Sequence, residues 1–296
     1  MTRILFPQGR RQYGEDGSGP RRGSNLKMRL IIAAVLVAFA LFSYYGRPED
    51  GNQITGESQR VALNEEADEV QMGLQAVPEV AAQFGGADPD PQAQAMVERV
   101  GNRLLQALDD SLEPGGRTNP YRDAFRFTLL GDQKTVNAFA LPGGQIFITR
   151  ALFRDLQTEG QLAGVLAHEI GHVIERHGNQ QMAKQKFFQG LAAAGGVAGG
   201  SQQSAQVASQ VANMVQMSYG RDAEYESDEW GIRLTTLAGY DPRSMLGVME
   251  VLEQASHGAS PPEILSTHPS SPNRIKRIKD LIEKEFPNGV PQGLEK

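Results

Sequence analysis

The hydrophobic pattern of this chain begins with one long apolar run near its start. Residues 30–45, LIIAAVLVAFALFSYY, carry no charged side chain, and Lys27 and Arg29 stand just before them. With Gly46 and the apolar stem of Arg29 the run reaches about 17 to 18 residues, near the lower limit for a bilayer-spanning helix. The pattern predicts a transmembrane anchor at 30–45. The alternative is a signal peptide cleaved at the small-residue triplet AFA, residues 38–40.

The charges that flank this run predict its orientation. Residues 1–29 contain seven Arg or Lys residues and two acidic residues. The positive-inside rule places such a basic flank in the cytoplasm. We therefore expect a single-pass inner-membrane protein with a cytoplasmic basic tail at 1–29 and the chain from residue 46 onward in the periplasm or another extracytoplasmic space. Cleavage of a signal peptide would export the same part of the chain.

The remaining pattern predicts an α+β fold that is mainly helical, with a small β-sheet. Apolar positions three and four apart over 91–108 predict an amphipathic helix. Alternating residues over 125–130 and 144–149 predict two strands, joined through a turn whose glycines permit close approach of another backbone. The expected boundaries are a polar linker at 46–60, one domain at 61–285 and a flexible tail at 286–296.

The composition limits the chemistry that this domain can perform. The formal net charge is -6 and the pI is near 5.5, so the chain lacks the basic field that holds nucleic acid. It contains no cysteine, which excludes thiolate nucleophiles and Cys-based metal sites. Histidine and carboxylate side chains are the ligands left for a metal.

One predicted helix carries such residues at the spacing of a metal site. The segment LAGVLAHEIGHVIERH contains His168, Glu169 and His172 in an H-E-x-x-H pattern. Residues i and i+4 lie one turn apart on one face, so both imidazoles can reach one metal ion with Glu169 beside them. This is the arrangement of a zinc hydrolase. We predict one Zn²⁺ per chain, held by His168 and His172, with Glu169 as the catalytic base.

A catalytic zinc site needs a third protein ligand. The metzincin pattern would require a glycine at Glu175 and a histidine at Gly178, so that subclass is excluded. His177 lies five residues beyond His172, and we expect it to point elsewhere on the helix and to interact with the helix dipole. The third ligand must then come from farther along the chain.

The carboxylates of RDAEYESDEWG, residues 221–231, are the candidates. A helical wheel places three of them on a solvated face: Asp222, Glu226 and Glu229. Glu224 and Asp228 lie one turn apart beside the apolar stripe, where an unpaired charge is costly. We predict Glu224 as the third zinc ligand and Asp228 as the acceptor that orients His168. The alternative is that both carboxylates pair with arginines such as Arg221.

The motifs together resemble those of a known peptidase family. They are NAFALPGG (137–144), HEIGHVIERH (168–177), RDAEYESDEWG (221–231), GYDP (239–242) and STHPSSPNR (266–274). They occur in the order found in the gluzincin metallopeptidases, which include the HtpX heat-shock protease, the CAAX prenyl endopeptidase and BepA-type periplasmic proteases. The resemblance, which runs from about residue 65 to 283, implies a zincin-type domain with the zinc ligands, base and supporting carboxylate assigned above. Unlike the family's integral-membrane and BepA-type members, this chain is expected to have no further spanning helix and no helical repeat domain.

The resemblance also implies a way to bind substrate. The strand at 144–149 is expected to edge the cleft and to bind an extended polypeptide by β-augmentation. The expected substrate contacts are Asn137, Ala138, Gly144 and Ile146.

His268, within STHPSSPNR, is the other catalytic candidate. It could reach the fourth zinc position or stabilise the oxyanion, and the alternative is an ordinary loop histidine before a helix.

The sequence thus predicts a membrane-anchored, exported zinc metalloendopeptidase that hydrolyses unfolded or misassembled envelope proteins. The alternative is a chaperone-like protein that keeps the zinc fold and binds clients with little proteolysis. For that function the apolar segment FFQGLAAAGGVAGG, residues 187–200, would serve as a plug over the cleft. The same segment equally fits a small-residue helix pair in the core.

Overall fold

The computed structural model describes residues 22–46, 48–199, 220–256, 262–268 and 272–296. Its helices over these residues are α1 Arg22–Tyr45, α2 Glu66–Gln83, α3 Pro91–Leu112, α4 Arg150–Asp155, α5 Glu159–Ile174, α6 His177–Gly199, α7 Arg221–Leu237, α8 Ser244–Ser256, α9 Ile264–Thr267 and α10 Pro272–Glu285. Its strands are β1 Asp50–Gly51, β2 Ser58–Gln59, β3 Arg126–Leu130, β4 Ala138–Leu141 and β5 Gln145–Thr149. The predicted mainly helical α+β fold is confirmed. Residues 1–21 of the predicted tail and residue 200 of the apolar segment lie outside the described residues.

Local sequence signals start the helices that frame the core. Asp90 accepts hydrogen bonds from the backbone N–H groups of Gln92 and Ala93, and Pro91 occupies the first turn of α3. Thr158 caps α5 in the same way. The apolar face of α3 then packs against β3 and α5 in one continuous core.

The sheet has the order β3-β5-β4, with β3 parallel and β4 antiparallel to β5. The expectation that 144–149 edges the cleft is therefore wrong, because β5 lies in the centre and is buried along its length. The turn explains this topology: Gly143 and Gly144 have φ of 80° and 106°, and they fold β4 back onto β5. A Cβ on Gly143 would collide with the α2 backbone at Val70, so the predicted close approach is confirmed. Among the described residues β4 is an edge strand.

The predicted linker forms part of the domain over residues 50–59. Here β1 and β2 make a short hairpin whose Ile54 is 1% exposed. Asn52 Nδ2 donates to the carbonyl of Ile174, the last residue of α5, at 2.6 Å. Polar side chains in this segment thus satisfy backbone groups of the domain, and that role is invisible in a polar sequence pattern.

The predicted flexible tail is also packed. Glu295 exchanges backbone hydrogen bonds with Gly239 and Asp241, and its carboxylate pairs with Arg103 of α3. Phe286 lies against the small apolar cluster between α8 and α10. The correction arises because backbone pairing at 239–241 holds a segment that has few apolar residues of its own.

Helices α5 and α7 pack closely because glycines lie at their contact. A Cβ on Gly171 of α5 would lie 3.0 Å from Ser227 Cα of α7. A Cβ on Gly231 of α7 would lie 3.8 Å from the backbone nitrogen of His168. The short separation brings polar side chains of the two helices together.

Helix α1 packs antiparallel along α6. The Tyr44 ring stacks on Phe187 with centroids 4.9 Å apart, and at the other end Arg29 donates to the carbonyls of Val197 and Ala198. By length and composition, residues Leu26–Tyr45 are long and apolar enough to cross a membrane. The segment 187–199 is therefore one half of a small-residue helix pair, as one of the two interpretations has it, although its partner is α1 and not the core.

Candidate active site

Four side chains converge between α5 and α7. His168 and His172 project from one face of α5, Glu224 faces them from α7, and His268 directly follows α9. All four are buried, and their donor atoms lie within 4.8 Å of one another. The structure thus brings the three predicted ligands together with His268.

The spacing of these atoms fits a tetrahedral metal. With bonds of 2.0–2.1 Å, neighbouring donors of such a site are about 3.3 Å apart. His168 Nε2 lies 3.0 Å from His172 Nε2 and 3.4 Å from His268 Nδ1. Glu224 Oε1 lies 3.0 Å from His268 Nδ1 and 3.6 Å from His172 Nε2. Imidazole nitrogens and carboxylate oxygens are also the donors that zinc binds, so the residues fit this ion.

Glu169 lies beside the donor cluster and is 1% exposed. Its Oε1 is 3.7 Å from His268 Nε2, and its Oε2 accepts no hydrogen bond from the described residues. Burial raises the pKa of Glu169, and His268 and His168 oppose that rise. A buried carboxylate with a raised pKa and an oxygen that no described residue hydrogen-bonds has the properties of a general base.

Asp228 and Arg274 hold the ligand side chains in place. The sequence analysis did not identify Arg274. Asp228 Oδ1 lies 3.1 Å from His168 Nδ1. The Arg274 guanidinium binds Asp228 at 2.6 and 2.7 Å and reaches Glu224 Oε2 at 2.8 Å. The sequence signal for Arg274 was its place at the end of STHPSSPNR. Glu224 and Asp228 therefore contact the two histidines of α5 as well as an arginine. That arginine is Arg274 of α10, and not Arg221.

These contacts set the charge of each group. Burial opposes the protonated form of His168, but hydrogen bonds to Asp228 and Glu224 outweigh it and raise its pKa to about 9. Burial and the neighbouring histidines hold the pKa of His172 well below its usual value. Burial alone would raise the pKa of Glu224, yet His268 and His168 bring it far below the usual range. His168 must release its proton to act as a metal ligand.

His177 does not point away from the site, contrary to the prediction. Its Nδ1 lies 2.9 Å from His172 Nδ1, and its Nε2 lies 2.8 Å from a carboxylate oxygen of Glu226. The reason is a break in the helix: Arg176 has φ of 55°, so His177 begins α6 instead of continuing α5. Glu226 is exposed as predicted, but it holds the histidine that contacts His172.

The predicted substrate contacts lie in the sheet beside this site. Ala138 and Ile146 are buried within it, and Gly144 packs against Phe125. Ile146 lies on central strand β5, which is paired on both sides, and Gly144 lies in the turn just before that strand.

The start of β4 is instead tied to the segment that carries His268. Asn137 Nδ2 donates to Glu263 at 3.3 Å, and the Ile264 N–H donates to the Val136 carbonyl at 3.3 Å. Residues 262–268 thus contact the chain just before edge strand β4.

Known proteins are similar to this chain over the part that carries the site. The profile of Peptidase family M48 matches residues 91–282, more than half of the chain. The chain is 33% identical over 218 residues to the Beta-barrel assembly-enhancing protease of Escherichia coli (strain K12), an alignment that covers 69% of this chain and 42% of that protein. It is 32% identical over 150 residues to the Mitochondrial metalloendopeptidase OMA1 of Arabidopsis thaliana, covering 51% of this chain and 30% of that protein. The chain thus spans less than half the length of these relatives.

Proposed function

The chain belongs to peptidase family M48 and carries its metallopeptidase domain, and on that premise we propose that it is a zinc endopeptidase that hydrolyses unfolded polypeptides. The observation that carries the proposal is the buried cluster of His168, His172 and Glu224 with Glu169 beside it. This set combines three metal donors with a carboxylate that has a free oxygen among the described residues. That combination is what metal-assisted hydrolysis requires.

The residues divide the chemistry between them. A bound zinc ion would polarise the scissile carbonyl and would lower the pKa of a water molecule, so that this water can lose a proton and attack the carbonyl at neutral pH. Glu169 would take the proton from that water and deliver it to the leaving amine. Asp228 and Arg274 would keep His168 oriented, since a ligating imidazole whose second nitrogen is held by a carboxylate has a fixed ring and tautomer.

His268 is proposed to close the site at rest. A catalytic zinc centre keeps one position open, whereas here four protein donors surround one point. For hydrolysis His268 would have to withdraw, and its segment would release Asn137 and Val136 at the start of β4. One movement would then free both a position for water and the strand edge for β-augmentation by substrate.

The substrates are proposed to be unfolded or misassembled envelope proteins. Two features support this: a relative is named as a protease that enhances β-barrel assembly, and α1 is fit to anchor the domain in a membrane. The basic flank favours a cytoplasmic N-terminus, with the peptidase domain on the periplasmic or other extracytoplasmic side.

A chaperone-like role is the second candidate, and the closed four-donor site favours it. A protein in which His268 never withdraws would bind clients through the β4 edge without cleaving them.

The deciding experiment is the Glu169→Gln substitution. We expect the variant to keep its zinc, because Glu169 is not among the converging donors, and to cleave casein about 10²- to 10⁴-fold more slowly. The matched control is Glu229→Gln, an exposed carboxylate on α7, which should leave the rate unchanged. Metal content is measured alongside. Cleavage by Glu169→Gln at the wild-type rate would exclude the peptidase mechanism.

A further inference from the structure

Helix α6 connects the metal site to the membrane anchor. Its first residue, His177, contacts His172, and its second half packs along α1. Tyr44 and Tyr45 meet Phe187 at one end of this contact, and Arg29 meets Val197 and Ala198 at the other. Because both ends of this contact are fixed, α6 lies alongside the apolar run of α1 from Tyr44 back toward Arg29.

We propose that residues 187–199 of α6 lie inside the bilayer against α1, so that the anchor is a pair of helices and the lipid acyl chains are the partner of their outer surface. The depth follows from the contacts. A membrane crossed by 30–45 has its boundaries near Tyr44 and Arg29. Phe187 of α6 lies at the level of Tyr44, and the long Arg29 side chain extends from the other boundary to the carbonyls of Val197 and Ala198. From Phe187 to Ala198 the helix rises about 16 Å, roughly half of a hydrocarbon core of ~30 Å.

The composition of this part of α6 suits that solvent. Residues 187–220 contain no Asp, Glu, Lys, Arg or His, and Lys184 and Lys186 stand just before them. Gln189 is the polar side chain of 187–199, and it lies in the first turn beyond Phe187, at the level of the interface. Tyrosines and lysines at this level are the usual anchors of a membrane helix.

The outer surface of α1 is also apolar and therefore also suits contact with lipid. The large apolar side chains of α1 that are at least half exposed to solvent are Leu26, Met28, Leu30, Ile31, Val35, Phe39, Phe42 and Tyr45. The inner surface is made of small residues, with Ala33 and Ala40 of α1 and Ala194 of α6 buried. Small residues at the contact and large apolar ones outside are the pattern of helices that pair within lipid.

Arg29 links α1 to α6 within the proposed helix pair. Arg29 donates to the Val197 and Ala198 carbonyls at 3.0 and 2.6 Å. These hydrogen bonds hold α6 against α1 at the end of the contact opposite Tyr44.

The consequence for the peptidase rests on the proposed function. Ten residues, or about 15 Å of helix, separate His177 from Phe187. The metal site would thus stay within about 15 Å of the membrane boundary, and its substrates would be polypeptide segments close to the membrane surface.

Cysteine accessibility tests the depth, because the chain has no cysteine of its own. Ala193→Cys places a thiol on the outer face of α6, and Lys184→Cys is the control before the apolar part; both positions are exposed in the protein. In intact spheroplasts we expect a membrane-impermeant maleimide to label residue 193 at least tenfold more slowly than residue 184, and detergent to abolish the difference. Equal labelling without detergent would overturn the proposal.

A crosslink tests the pairing. A Cβ on Gly190 would lie 2.9 Å from the Ala40 Cβ, so a small shift gives the spacing of a disulfide, about 3.8 Å. The double variant Ala40→Cys and Gly190→Cys should therefore crosslink in membranes under mild oxidation. Absence of the crosslink would overturn the helix pair. Both readouts are repeated in the Glu169→Gln background, so they do not depend on whether the protein is a peptidase.

Discussion

The protein contains two close helix pairs, α5 with α7 and α1 with α6, and both use glycine to bring their backbones together. In the first pair Gly171 and Gly231 lie at the contact, and in the second pair Gly190 does. The α5–α7 pair turns charged and titratable side chains inward, where they are almost completely buried. The α1–α6 pair turns small residues inward and large apolar side chains outward.

The difference shows which solvent each pair is made for. A buried charge is tolerated where partners and hydrogen bonds surround it, as Asp228 and Glu224 are by Arg274 and His168. An apolar surface of this size is tolerated where water is absent, because soluble monomers rarely expose patches beyond a few hundred Å². One pair thus holds a buried cluster of charged and titratable side chains, and the other is suited to lipid.

The largest effect should come from removing a buried charge partner in the α5–α7 pair. Arg274→Ala leaves Asp228 and Glu224 without their guanidinium, and we expect the metal-free protein to lose about 3–5 kcal/mol of unfolding free energy. Chemical denaturation in the presence of a chelator measures it. Arg277→Ala is the control on the same helix, because Arg277 is half exposed and lies 4.0 Å from Glu229. We expect that variant to lose less than about 1 kcal/mol. Equal losses would contradict the assignment of Arg274.

The opposite change is to add a charge to the α1–α6 pair. Phe39 lies near the middle of the apolar run and is 69% exposed, away from α6. Phe39→Arg should cost about 2.5–3.5 kcal/mol of membrane insertion, whereas Phe39→Leu should cost little. Alkaline extraction of membranes reports the retained fraction, which we expect to fall for the arginine variant alone. Full retention of both variants would argue that α1 does not cross the bilayer.

The comparison also explains what the sequence could predict. Within α5 and α7 the helical period determines the phase, so the face of α5 that carries His168 and His172 and the face of α7 that carries Glu224 and Asp228 could be predicted. The need of a zinc site for a third ligand then joined the two faces. Arg274 was missed because its contact joins residues 46 positions apart, and His177 was misplaced because the break at Arg176 is not visible in a periodic pattern. For the same reason the apolar segment 187–199 could not be matched to α1, which lies more than 140 residues earlier. Periodicity fixes the face of a helix, and its tertiary partner requires the fold.

A smaller effect is expected from the residues that hold a ligand without touching the metal. His177 contacts His172 and is itself held by Glu226. Substitutions of such partners commonly weaken metal binding by about 10- to 100-fold, and His177→Gln should do so while the fold stays intact. Competition with a chromophoric zinc chelator measures the affinity. Glu229→Gln on α7, whose carboxylate lies 4.0 Å from Arg277, should bind zinc as the wild type does. Unchanged zinc affinity in His177→Gln would restore the prediction that this histidine faces away.

The smallest effect concerns Glu175, which differs from the other buried carboxylates of this region in its partners. Its hydrogen-bond donors, Trp230 Nε1 at 2.6 Å and Gln59 Nε2 at 3.1 Å, are neutral. Burial therefore dominates, and with Glu226 and Glu57 nearby it raises the pKa of Glu175 from 4.5 to about 7.

This shift makes stability depend on pH in a defined direction. A carboxyl whose pKa is higher in the folded state binds its proton more tightly there than in the unfolded chain. Protonation of Glu175 therefore adds to the free energy of unfolding. This contribution is full below pH 4.5 and is lost as the pH rises through 7. Between pH 6 and pH 8 the loss is about 1 kcal/mol. Glu175→Gln keeps an acceptor for Trp230 and removes the titration. Thermal unfolding of both proteins should therefore show the variant gaining relative stability as the pH rises from 6 to 8, and parallel curves would mean that Glu175 is ionised throughout.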